Sequence, residues 1–238
     1  MQANNILSAI EASDRAELTN AGHHITFGHG DVLGQRDEAI DHVFFPVSGM
    51  VSVVVELEDG ECVETAMLGH RGALGGALAF GATEHAATGF GQIAGEGWLV
   101  PGGRVVDICQ RSERLRDLLF RQEQFLLSQA QQTAACNGRH TLPRRVASWL
   151  LRARAVVGSD KLGLTQEYLA QMLGVQRASV SGAANIVADS GAIEYRRGRV
   201  EIRDADLLGS VACECHRVLA ERRERLFGTV AVPATAPA

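Results

Sequence analysis

Residues 165–202 read TQEYLAQMLGVQRASVSGAANIVADSGAIEYRRGRVEI, and this stretch decides the fold of the second half of the chain. Thr165 is placed to cap a helix whose Leu169, Met172 and Leu173 point inward, and Ala170 is small where a second helix would cross. Gly174 permits a left-handed turn. In the next helix Val180, Ala184 and Val187 share one face. Away from that face stand Arg177, Ser179, Ser181 and Asn185, with Gln176 at the helix start: polar groups of a length that reaches base edges when such a helix lies in a major groove. After Gly191, AIEY, a turn RRG and RVEI predict a hairpin wing whose Arg196, Arg197 and Arg199 suit phosphate oxygens, with Thr165 as a further phosphate contact. Gly182, inside the second helix, costs about 1 kcal/mol against alanine and points to a bare, close approach to DNA or to a looser helix.

The charge distribution agrees with a polyanion partner. The chain has 238 residues and a net charge of -5. Residues 1–138 carry 8 basic and 18 acidic side chains, residues 139–204 carry 11 and 6, and residues 205–238 carry 4 of each. The one basic block therefore coincides with the helix-turn-helix pattern and its wing.

Upstream of that block the pattern changes twice. Ile6, Leu7, Ile10 and Leu18 predict a short amphipathic helix or a pair of helices over residues 5–20. From Thr26 to about Val100 the segments are short, valine-rich and broken by glycine. In MVSVVVEL, Val51, Val53, Val55 and Leu57 alternate with Ser52, Val54 and Glu56, and Asp59-Gly60 supplies a hairpin turn. Many such strands predict an antiparallel barrel or jelly roll. Near Gly103 a helical rhythm resumes: Leu115, Leu118, Gln122, Phe125 and Gln129 recur at three-four spacing for over twenty residues. So long a stripe needs a cover: packing on its own barrel is one reading, and a parallel seam between two subunits is the one expected. Thr141-Leu142-Pro143 ends this helix and starts the next.

Composition excludes other classes. Hydrophobic residues are 46% and charged residues 21%, and no apolar run reaches the length of a membrane span, so a cytoplasmic protein is expected. The five cysteines are odd in number and scattered, a poor disulfide framework, and none precedes Cys62 to announce an iron-sulfur cluster. His23, His24 and His29 lack the spacing of a metal enzyme, and no enzymatic activity is expected. Cys213 and Cys215, read as two positions of one helix with His216 beside them, diverge by about 200°, so no metal site is predicted. Val211, Cys215 and Leu219 are read as the packed face of a C-terminal helix.

With these motifs in place, the chain resembles the Crp/Fnr family of bacterial transcription regulators from residue 5 to about residue 205, most closely at Thr165–Val180, at Gly191–Ile202 and in VFFPVSGMVSVVVE. The fold expected is α+β: an antiparallel jelly-roll barrel of the cyclic-nucleotide-binding type over residues 1–101, a long dimerisation helix over 102–140, a winged helix-turn-helix over 141–227 and a flexible tail over 228–238. The resemblance implies a homodimer on double-stranded DNA, reading a near-palindromic operator, and contact with RNA polymerase. The family commonly has arginine, glutamate and a later arginine on the reading helix, where this chain has Arg177, Ala178 and Gly182, so a different operator is expected.

The resemblance also defines an effector question. The family's phosphate cassette runs Gly-Glu-Leu and then, seven or eight residues on, Arg followed by two small residues. In GGALAFGATEHAAT, residues 75–88, Gly75 keeps the frame, but Gly76 stands where the ribose-binding glutamate belongs and His85 where the phosphate-binding arginine belongs, followed by Ala86 and Ala87. Glycine cannot accept from a 2'-hydroxyl, and without the arginine a charge-assisted fork is lost. On the long helix, Ala130 and Gln131 stand where relatives that bind cyclic AMP place hydroxyl residues. These residues argue against cyclic AMP and leave the cofactor unknown. The competing reading is a ligand- or redox-sensing assembly module without transcriptional duty.

Overall fold

The computed structural model describes residues 3–196 and 198–228. Two short helices, α1 (Asn5–Ser8) and α2 (Ala12–Ala21), open the chain, the pair being one of the two forms expected. Seven strands follow: β1 (His23–Phe27), β2 (Val32–Gly34), β3 (His42–Pro46), β4 (Met50–Glu56), β5 (Cys62–Leu68), β6 (Thr88–Ile93) and β7 (Gly95–Pro101). They form two antiparallel sheets, ordered β1-β7-β3 and β2-β6-β4-β5. Asp59-Gly60 makes the expected hairpin, with Gly60 at φ 82° and the Asp59 carboxylate accepting from the Glu61 amide at 3.0 Å.

Strand β3 is buried on both faces. Phe44 points into the barrel core with Phe27, Val51, Val53 and Leu68, whereas Val43 and Phe45 point outward to a second core shared with Ile6, Leu18 and the following helices. The period of two explains how one strand joins two cores.

The expected long helix is two. Helix α3 (Gly102–Arg111) ends at Ser112, whose φ of -104° and ψ of 89° break the ladder, and α4 (Glu113–Arg139) restarts there for 27 residues. Helix α5 (Leu142–Val157) carries proline in its first turn as expected, although the Thr141 hydroxyl makes no capping bond. The strand pair β9 (Ile193–Arg196) and β10 (Arg199–Ile202) is joined by a short strand, β8 (Lys161–Leu162). Between β8 and β9 lie α6 (Gln166–Leu173) and α7 (Arg177–Asp189). The chain closes with α8 (Ala205–Val211) and α9 (Cys215–Phe227).

Strand alternation alone suggests that the Ser52 face of β4 meets water, but it does not. Met50 and Val54 of β4, with Cys62 and Met67 of β5, share one core with Trp149, Leu150, Leu169, Met172, Val180 and Val187 of the helical half. The barrel's outer face is thus covered by α5 and α6. At its centre Glu64, 3% exposed, accepts from the Ser52 hydroxyl at 2.5 Å and the Trp149 indole N–H at 2.8 Å. Burial pushes its carboxyl up to about 7, against the pull of Arg152 and those two donors.

Candidate nucleic-acid interface and effector site

Helices α6 and α7 are built as their sequence dictates. The Thr165 hydroxyl accepts the Tyr168 amide at 3.1 Å, and Gly174 ends α6 in the left-handed region at φ 61°. Leu169, Ala170, Met172 and Leu173 of α6 pack against Val180, Ala183, Ala184 and Val187 of α7, which includes every apolar position expected and adds Ala183. The apolar face so fixed leaves the opposite face of α7 outward. Gln176, Arg177, Ser179 and Asn185 are exposed, and Ser181 is half-buried. Ala178 and Gly182 lie among them, also exposed, and nothing stands within 4 Å of the point where a Gly182 Cβ would be. Arg177 is only weakly tethered, 4.0 Å from the Glu167 carboxylate with both side chains 72% exposed.

Beside this face stands the hairpin of β9 and β10, paired Arg196 to Arg199 and Ile202 to Ile193. Arg199 is exposed, while Arg196 is paired with Glu194, which also holds Arg203. Both arginines lower the Glu194 carboxyl, chiefly through hydrogen bonds. Arg197, named with them, lies outside the described residues. Thr165 joins the same corner, its Cγ2 lying 3.6 Å from where a Gly198 Cβ would be. The structure therefore gathers the candidate base contacts on one helix face and the described phosphate contacts next to it.

The stretch that matches the phosphate cassette, Gly75, Gly76, His85, Ala86 and Ala87, is a possible effector pocket. Gly75 adopts φ 84° and begins a short 3-10 turn over Gly76–Phe80, so the cassette's backbone frame is kept. His85 is buried, 9% exposed, and its ring lies 2.6 Å from the site of a Gly34 Cβ and 3.5 Å from that of Gly75. Burial lowers its pKa, which favours the neutral ring. From α4, the Glu123 carboxyl reaches the cassette instead, its Oε1 lying 3.1 Å from the site of a Gly76 Cβ. Its pKa is pushed up to about 7 by burial. Ala87 packs against the barrel core, and Ala86 is exposed. A cavity of about 490 Å³ lies outside the barrel between β5, α4, α5 and α9 and is lined in part by Arg71, Gln122, Arg152 and Arg223.

The seam residues require correction. Leu115, Leu118, Gln122, Phe125 and Gln129 are 0%, 3%, 1%, 8% and 2% exposed within the single chain, covered by the barrel, the N-terminal helices and α9. Gln129 brackets Met67 of β5, accepting from its amide at 3.2 Å and donating to its carbonyl at 3.1 Å. The stripe is a real packing face, but its cover is intramolecular. On the other side of α4 a 4-3-4-3 series runs through Phe120, Gln124, Leu127, Gln131 and Ala134, with Phe120 48% and Leu127 59% exposed. That series is legible in the sequence and is masked there by the stronger apolar stripe.

A second correction concerns the cysteines. Cys213 and Cys215 do not share a helix, because α8 ends at Val211 and Ala212 turns extended, at φ -68° and ψ 160°. The two thiols converge with Cys136 and His140 at the end of α4, their ligand atoms all within 4.8 Å of one another. No helical angle applies across that break. All five cysteines are free.

Among known proteins, the family model described as a Crp-like helix-turn-helix domain matches residues 144–211. No curated protein matches the chain. Solved structures share its fold. FixK2 from Bradyrhizobium japonicum is 18% identical, with a TM-score of 0.69 over 81% of this chain and 98% of that one. TTHB099, a transcriptional regulator of the CRP family from Thermus thermophilus, is 21% identical, with a TM-score of 0.63 over 79% and 96%. The c-di-GMP responsive global regulator CLP of Xanthomonas campestris is 14% identical, with a TM-score of 0.67 over 81% and 99%. The expected order of barrel, long helix and helix-turn-helix is thereby borne out.

Proposed function

We propose, from the premise that this chain is a DNA-binding transcription regulator of the Crp/Fnr type, that it acts as a homodimer reading a near-palindromic operator with α7 and is not controlled by cyclic AMP. The observation that carries the reading role is the outward face of α7: Gln176, Arg177, Ser179, Ser181 and Asn185 surround two positions without bulk, Ala178 and Gly182. A bare helix face lets the backbone approach the groove floor, so that short hydroxyls and the Asn185 amide reach base edges. Arg196, Arg197, Arg199 and Thr165 anchor to phosphates and fix the register of that helix.

Dimerisation is supported by the exposed 4-3 series of α4, which places Phe120 and Leu127 where a second copy of the helix would cover them. The argument against cyclic AMP is electrostatic. A cyclic phosphate seated on the cassette meets a buried His85 that favours neutrality and the Glu123 carboxyl, not a guanidinium. Contact with RNA polymerase rests on the resemblance alone.

The test is selection of genomic DNA fragments by the purified protein, followed by binding of the selected site with and without cyclic AMP. Enrichment of a two-fold symmetric sequence, bound equally in both conditions, is the expected result. Enrichment that requires cyclic AMP refutes the effector reading, and no enrichment refutes the reading role of α7. Arg177→Ala is expected to lose about 1–3 kcal/mol of discrimination between operator and random DNA. Arg199→Ala should weaken both about equally and reduce the salt slope of binding by about one. Equal behaviour of the two variants rejects the division between reading and anchoring.

A further inference from the structure

We propose that Cys136, His140, Cys213 and Cys215 form a tetrahedral site for a divalent zinc-class ion, fastening the end of α4 to the break between α8 and α9. Zinc bonds of about 2.3 Å to sulfur and about 2.0 Å to nitrogen set tetrahedral edges of about 3.8 Å between two sulfurs and about 3.5 Å between sulfur and nitrogen. Cys136 Sγ and Cys213 Sγ lie 3.6 Å apart, and Cys215 Sγ and His140 Nδ1 lie 3.5 Å apart. Two opposite edges of the tetrahedron are thus already at the required length. The sulfur pair is far beyond a disulfide bond of about 2.05 Å. An iron-sulfur cluster would hold its cysteines further apart, around a cage of iron and sulfide, whereas these four ligand atoms all lie within 4.8 Å of one another.

The surroundings fit a closed structural site. The His140 ring turns Nδ1 toward the thiols while its Nε2 lies 3.2 Å from the Glu214 carboxylate, the outer partner that orients a metal-bound imidazole. Gln132 Nε2 donates to Cys215 Sγ at 3.1 Å. Cys213 and Cys215 are buried, at 0% and 3% exposure. Three thiolates on a divalent ion leave one net negative charge, and the buried Arg145 guanidinium lines the same small cavity as Cys136 and Cys215. Among the described residues no carboxylate lies within 4 Å of Arg145, and its Nε has no hydrogen-bond partner. An anionic metal–thiolate centre supplies the countercharge.

The site draws on Cys136 and His140 on one side of the Thr141 linker and on Cys213 and Cys215 beyond the helix-turn-helix. It therefore fixes the joint at which the DNA-binding half leaves the long helix. The proposal stands independently of the operator reading, because its test needs no DNA.

The test is titration of the full-length, thiol-reduced, metal-free protein with Co²⁺, followed by displacement with Zn²⁺. One equivalent per chain is expected, with thiolate-to-cobalt charge-transfer absorption and the strong visible bands of a tetrahedral ion, both lost on adding Zn²⁺. Cys213→Ser and Cys136→Ser should abolish the charge-transfer signal, while Cys62→Ser and Cys109→Ser should leave it unchanged. Glu214→Gln, an exposed change that leaves all four ligands, should weaken the ion by about 10–100-fold and keep the tetrahedral spectrum. Absence of stoichiometric uptake by the reduced wild type overturns the proposal. So does an octahedral spectrum, or unchanged binding by Cys213→Ser.

Discussion

Gly182 separates what the fold needs from what recognition needs. Apart from its chain neighbours and the backbone of its own helix, nothing stands within 4 Å of its missing Cβ, so alanine fits the free protein and should stabilise α7 by about 1 kcal/mol. Gly182→Ala is therefore expected to raise the denaturation midpoint while weakening operator binding, measured on one preparation by urea unfolding and by DNA titration. A gain in stability with no loss of DNA affinity rejects the close approach. Arg177, Ser181 and Asn185 were legible in the sequence because an amphipathic helix fixes its outward face once its inward one is known. His85 was legible as a departure from the cassette, but not as a buried ring. Its neighbour at Gly34 comes from a distant part of the chain.

Helix α4 shows how an element can be identified correctly and faced wrongly. Its period is a local property, and it placed the C-terminal end of the helix within a residue of Arg139 but missed the break at Ser112. Which stripe meets its own chain and which remains free depends on where the barrel and α9 dock. Leu127→Glu is expected to convert the proposed dimer to a folded monomer in sedimentation analysis, with far-UV circular dichroism unchanged. Leu118→Glu should instead unfold the chain, because Leu118 is 3% exposed in a core shared with Ile6 and Leu18. Reversal of the two outcomes would restore the Leu115–Gln129 stripe as the seam.

Across the whole molecule, the two halves are joined through Glu64, Ser52 and Trp149 and through His29 stacked on Tyr168 at 3.7 Å. The Glu64 carboxyl rises from 4.5 to about 7 on folding, so the folded chain holds the proton more tightly than the unfolded chain does. Its contribution is therefore full below about pH 4.5 and is lost as pH rises through about 7, a change of about 3 kcal/mol. Glu123 titrates in the same direction, so the measure is the difference between wild type and Glu64→Gln in urea unfolding from pH 5 to pH 8. The variant should show the shallower slope, and equal slopes would refute the assignment. Periodicity, turn residues and the single basic block determined by themselves the barrel, the long helix, the winged helix-turn-helix and the outward face of α7. All of these follow from interactions between residues near in sequence, or from which face of an element is apolar. Only the tertiary structure decided that α4 gives its stronger stripe to its own barrel, that Glu64 is sealed beneath α5, and that Cys136 and His140 meet Cys213 and Cys215. Each of these joins residues distant in sequence across a docking geometry, and no local period carries that information.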